Sequence, residues 1–216
     1  MTYKDIKHNE EVNELLKKGN QNLGLLGYTD HSQAHCVRVA ETAAQILKKF
    51  GYSEHDIELA RIAGYMHDIG NCVNRTDHAH SGAIMAFTLL TRMNMPPEEI
   101  AIICSAIGHH DEKTAFPVNA VSAALILSDK SDVRRSRVRK NAIIATDIHD
   151  RVNYSVKKHE VTLTEKEICL TLAIDTEVCA VIEYFEIFMD RMLLCRRAAE
   201  KLGLHFALVI NGQRMA

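Results

Sequence analysis

The stretch Tyr65-Met66-His67-Asp68-Ile69-Gly70 sets an imidazole beside a carboxylate at the C-terminal end of an apolar helical pattern. Neighbouring helical side chains diverge by roughly 100° at 3.6 residues per turn, so the pair cannot act as two fingers on one face. It can reach two neighbouring metal ions, or one ion and a bridging position. His35 lies upstream, and His78, His80, His109, His110 and Asp129 lie downstream, all within or beside segments of helical patterning. Four ligands of type His, His, Asp, Asp (His35, His67, Asp68, Asp129), brought together from three helices, make a mixed nitrogen and oxygen site with open positions. Such a donor set suits Mn²⁺, Fe²⁺, Co²⁺ or Ni²⁺, with Mg²⁺ compatible, better than a closed tetrahedral zinc. A second cluster, from His78 or His80 with His109 and His110, would hold a second ion, with Asp68 bridging. Two ions about 3.5–4 Å apart clamp the attacking and leaving oxygens of a displacement and generate hydroxide at neutral pH. The expected chemistry is therefore metal-assisted hydrolysis, with one or two ions.

Helices must carry these residues. Lys4 to Leu26 has apolar positions at helical spacing and reads as an opening helix closed by Gly24 and Gly27. Asp30 with Gln33 suggests a capping box for a helix running to Phe50, with His35 one turn inside and Gly51 as its stop. Ser53 caps the helix that delivers His67 and Asp68. Residues 71–77 are polar and irregular, and a helix from His78 to Met93 ends before Pro96-Pro97, which open the helix 98–108. Asn119 caps an apolar run that ends near Asp129. Beyond Val156 the pattern changes: two β-branched runs, Val156 to Leu163 and Ile168 to Ile174, flank a polar turn and predict a hairpin. A long amphipathic helix (Val178 to Leu202) and a short strand (Leu204 to Ile210) follow. The exposed edge of so small a sheet allows a homodimer, and this C-terminal unit is expected to stabilise or dimerise the protein without taking part in the chemistry.

Composition narrows the class. A chain of 216 residues supports one sizeable core, and 47% hydrophobic residues with three prolines place it among helix-favouring globular proteins. A formal charge of −2 argues against bulk nucleic-acid binding, so any phosphate recognition must be local. Lys130 and Arg134, directly after Asp129, and Arg75 are the candidates for contacting substrate phosphates. Six scattered cysteines without a CxxC pair read as buried small hydrophobes. No apolar leader and no uninterrupted membrane-length run are evident, and a cytoplasmic location is expected.

The order His35, then His67-Asp68, then Asp129 resembles the signature of the HD superfamily of metal-dependent phosphohydrolases. The intervening histidines are similar to the longer signature of its two-metal members, in which one histidine is followed four residues later by glycine. His78 with Gly82 matches that spacing and His80 does not, so the resemblance implies the ligand set His35, His67, Asp68, His78, His109, His110 and Asp129. It covers roughly residues 25–150. Asn71 stands where HD-GYP enzymes have lysine, and residues 111–117 lack a Gly-Tyr-Pro motif, which argues against cyclic di-GMP as substrate. The implied fold is mainly α: an HD-type helical bundle over residues 1–150 with a small α+β appendage over 151–216. The implied activity is a metal-dependent phosphohydrolase, a phosphomonoesterase or phosphodiesterase, acting on a small nucleotide-type substrate, with Asp68, Lys130, Arg134 and Arg75 at the reaction. Two alternatives share the ligand order: an HD-type di-iron oxygenase, and an inactive regulatory binding module.

Overall fold

The computed structural model describes residues 1–140, 142 and 147–216. Two helices, α1 (Tyr3–Lys7) and α2 (Glu10–Leu25), stand where one opening helix was expected. The chain breaks at Asn9, whose side chain accepts from the Val12 amide and starts α2 afresh. Next come α3 (Gln33–Lys49) and α4 (Glu54–Met66), then a 3₁₀ turn at Ile69–Cys72. The N-cap of α3 is Ser32 rather than Asp30; Asp30 instead accepts hydrogen bonds from the Ser32 amide and hydroxyl and shapes the preceding loop. α5 (His78–Arg92), α6 (Pro97–Gly108) and α7 (Ala120–Lys130) complete the bundle, and α8 (Ile148–Ser155) leads out of it.

α7 organises the packing. Every residue from Val121 to Lys130 is buried, as suits a helix that is apolar on nearly all sides. Asn119 and Ser122 close a reciprocal capping box at its N-terminus. The helix lies against α3, α4 and α6 on one side and against α9 (Val181–Lys201) on the other. α3 and α4 approach closely because Gly64 has no side chain: a Cβ there would stand 2.8 Å from the Ala40 Cα. Gly70 does the same for the 3₁₀ turn, where a Cβ would meet the His78 carbonyl. These contacts bring the His67-Asp68 corner against both α3 and α5.

The C-terminal part forms a four-stranded sheet in the order β1 (Val156–Leu163), β2 (Glu167–Ile174), β3 (His205–Ile210), β4 (Gln213–Arg214). β1 and β2 make the expected hairpin, and β3 pairs with β2 in parallel, with α9 as the crossover. Ile168, Leu170, Leu172 and Ile174 alternate inward, and Tyr184, Phe188 and Met192 of α9 are buried with them. This apolar set is continuous with the core of the bundle, because α9 covers α7 as well as the sheet. The fold is mainly α, with the small sheet appended. No described helix is long and apolar enough to cross a membrane.

Candidate metal centre

Four imidazoles converge where α3, α4, α5 and α6 meet, and each is fixed by its Nδ1. His35 Nδ1 lies 2.7 Å from Asp132 Oδ2, His67 Nδ1 2.8 Å from the Gly64 carbonyl, His78 Nδ1 3.1 Å from the Arg75 carbonyl, and His110 Nδ1 2.6 Å from the Ile107 carbonyl. Carbonyls and carboxylates only accept, so each Nδ1 carries a proton and each ring turns its Nε2 inward, with Arg75 Nη1 3.2 Å from that of His78. This is how a protein orients histidines toward a metal.

The inward atoms form two overlapping groups. His35 Nε2 and His67 Nε2 lie 3.3 and 3.7 Å from Asp129 Oδ1, and 3.7 and 3.2 Å from Asp68 Oδ2. On the other side, Asp68 Oδ1 is 3.7 Å from His78 Nε2, which faces His110 Nε2 at 3.2 Å. The donor atoms of His35, His67 and Asp129, and those of His67, Asp68 and His110, lie within 4.8 Å of one another in each set. His35 Nε2, His67 Nε2 and Asp68 Oδ2 are buried and have no hydrogen-bond partner. Leaving such atoms unsatisfied is costly, and two lone pairs facing each other repel unless a cation or proton intervenes. The residues therefore fit a divalent cation, or two.

Electrostatics agree. Burial alone would raise the Asp68 and Asp129 carboxyls, yet His67 beside the first and Lys130 beside the second hold both well below the usual carboxylate range. Burial, with Lys130 nearby, pushes His110 well below the usual imidazole value, and burial with Arg75 lowers His78. Both are neutral donors at pH 7. Burial opposes charge on His67 too, but Asp68 and Asp129 outweigh it and raise the ring.

The remaining candidate residues divide between inward and outward positions. His109 caps α6 half-buried and joins neither donor group among the described residues; adjacent side chains at a helix end diverge, and His110 takes the inward direction. His80 points outward and pairs with Asp77, while His78 is buried. Lys130 is 4% exposed and its ammonium lies 2.8 Å from Asp129 Oδ2 and 3.4 Å from Glu112, so it is committed to carboxylates rather than open to a phosphate. Arg134 is likewise bound to Asp132 Oδ1 at 2.6 Å, behind His35. Arg75 Nη1 is 3.2 Å from His78 Nε2, and no carboxylate among the described residues pairs with it.

Other contributors were not singled out from the sequence. Asp132 orients His35, and Asn71 donates to Asp68 Oδ1 at 2.7 Å. Asp132 stands one turn beyond Asp129, a spacing that could have flagged it. His31 Nδ1 lies 2.8 Å from the Thr29 carbonyl, and the ring stands edge-on against His35 at 5.7 Å. Arg191 of α9 forms an ion pair with Glu112 at 2.5 Å. The C-terminal unit thus packs at the edge of the centre, and neither donor group among the described residues includes a residue beyond Asp129.

The HD domain family matches residues 33–145, which is over half of the chain. An uncharacterized protein of Methanocaldococcus jannaschii is 27% identical over 161 residues, covering 64% of this chain and 62% of that protein. Ribonuclease Y of Mycoplasma mycoides is 27% identical over 142 residues, covering 66% of this chain and 32% of that protein. The chain thus spans less than two thirds of the length of either relative. A crystal structure of a predicted HD superfamily hydrolase from an uncultured Thermotogales bacterium aligns at 25% identity and a TM-score of 0.46, over 59% of this chain and 69% of that one. The matched span holds His35, His67-Asp68 and Asp129 in the order that the geometry gathers at one point, and the chain belongs to the HD domain family.

Proposed function

We propose that the protein is a metal-dependent phosphohydrolase that cleaves a phosphoester or phosphoanhydride in a small, nucleotide-type substrate. The observation that carries this reading is the division of Asp68, with one oxygen toward His35 and His67 and the other toward His78. His35, His67, Asp68 and Asp129 would hold one ion; Asp68, His78 and His110 would hold a second. When bound, such ions supply Lewis acidity at phosphorus and lower the pKa of water toward neutrality.

The chain's own groups do the rest. Asp132 fixes the tautomer and direction of His35, and Asn71 holds the Asp68 carboxylate between the two imidazole groups. Arg75, with no carboxylate partner among the described residues, would donate to the non-bridging oxygens of a phosphoryl group arriving beside His78. Lys130 and Arg134 act indirectly, by holding Asp129 and Asp132.

The test is a panel of nucleotides and simple phosphoesters assayed with Mn²⁺, Fe²⁺, Ni²⁺ and Mg²⁺, with oxygen uptake followed in parallel. Phosphate release that depends on the added ion and is lost in Asp68→Ala supports the reading. Oxygen consumption without phosphate release would replace it with an oxidative one.

A further inference from the structure

A cavity of about 330 Å³ opens beside the metal centre, between the α2–α3 loop, Arg75, α8 and α9. His31, which stacks on His35, and Arg75, which reaches His78, form its inner end. Arg137 and Arg191 also line it, and the single acidic residue among its lining residues is Asp147. Three guanidiniums and one carboxylate line it, with Glu112, the partner of Arg191, and Asp132, 3.8 Å from Arg137, standing outside the lining. The balance of the lining itself is unlike the chain as a whole, whose formal charge is −2.

Each of these arginines has donors to spare. Arg75 spends Nη1 on Asn71 and His78. Arg137 spends Nε on the Asp30 carbonyl and Nη1 on the Asp132 carbonyl. Arg191 faces Glu112 through Nε and packs its guanidinium over Phe188, 4.4 Å from the ring centre. Among the described residues no hydrogen bond uses Nη2 of Arg75 or Arg137, or either terminal nitrogen of Arg191. Guanidiniums fixed at one end, with planar N–H pairs left over, match phosphate geometry. The tether to Glu112 limits the entropy lost when Arg191 engages an anion.

We propose that this cavity is a second anion subsite, which binds a further phosphoryl group of the substrate away from the one that reacts. The substrate is then a phosphoester carrying at least two phosphoryl groups, one at the metal centre beside Arg75 and one between Arg191 and Arg137. This assignment of a substrate class rests on the hydrolase reading, whereas the anion binding itself does not. It also gives the C-terminal unit a function, since Arg191 belongs to α9.

Inorganic phosphate titrated calorimetrically into the full-length, EDTA-treated protein tests the subsite without any metal. One phosphate per chain is expected, with affinity weakened about 10-fold or more in Arg191→Gln, the loss typical of one charge-assisted hydrogen bond. Arg191→Lys should recover part of that loss, and Arg92→Gln, which breaks the exposed Arg92–Glu11 pair, should bind as the wild type does. Because Arg191 also holds Glu112, thermal melting of each variant checks that the fold is kept, and Arg137→Gln provides a second, independent loss. With metal restored, bisphosphorylated esters should show a lower KM than monophosphorylated ones, and Arg191→Gln should erase that preference with kcat largely kept. Phosphate binding that is absent, or equal in wild type, Arg191→Gln and Arg137→Gln, overturns the subsite while leaving the hydrolase reading intact. Phosphate binding of the expected pattern with no ester hydrolysed upholds the subsite and overturns the hydrolase reading.

Discussion

Asp68 Oδ1 lies 3.7 Å from His78 Nε2, while the other oxygen of the same carboxylate turns away toward His67. One carboxylate therefore serves two imidazole groups that come from different helices. Asp68→Ala should accordingly remove more than one site's worth of metal if two ions bind, whereas His80→Ala, on an exposed side chain, should remove none. Elemental analysis of protein dialysed against Mn²⁺ checks both; equal losses in the two variants would show that the donor groups are wrongly drawn.

The Asp132–His35 contact predicts a cost at a distance from the ion. Asp132→Asn keeps the shape but removes the charge that holds His35 Nδ1–H, and loss of such an outer partner typically weakens metal affinity about 10–100-fold. Competitive titration with a chromogenic chelator measures it. Unchanged affinity would mean that α3 alone orients the ring.

Close approach of α3 and α4 is a packing requirement with its own signature. Gly64→Ala would press a methyl against the Ala40 backbone, and overpacking of this kind costs about 1–3 kcal/mol. For a chain of this size the melting temperature should fall by roughly 2–4 °C per kcal/mol. A variant that melts with the wild type would show that the helices can part without penalty.

Metal should also stabilise the whole chain, because its donors come from α3, the α4 corner, α5, α6 and α7. An ion that binds only the folded state adds about 2.7 kcal/mol at a concentration one hundred times its Kd. Melting curves recorded with EDTA and with Mn²⁺ should separate accordingly. Coincident curves would argue that these side chains do not share an ion.

Much of this arrangement is legible in the sequence because ligands and helices share a code. His35, His67, Asp68 and Asp129 sit at recognisable places in periodic segments, and the β-branched runs after Val156 announce the hairpin. What the sequence hides is set by long-range packing. Asp132 and Arg137 hold no place in the ligand order that singles them out, yet Asp132 is buried against His35, 97 residues away, and Arg137 is buried beside it. Glu112 and Arg191 are unremarkable surface types until α9 lies down on α7 and makes them neighbours. The same packing turns Lys130 from a free cation into the partner of Asp129. The double histidine shows the limit of spacing arguments: His109 and His110 look equivalent, and only the course of the backbone after α6 decides that His110 faces inward.

Anomalous diffraction from crystals grown with Mn²⁺, collected at the manganese edge, tests the metal centre most directly. The expected result is a peak at ligand distance, about 2.0–2.3 Å, from His35 Nε2, His67 Nε2, Asp68 and Asp129 Oδ1. A fully loaded centre should show a second peak between Asp68 Oδ1, His78 and His110. No peak in this cluster, with manganese bound elsewhere or not at all, would contradict it.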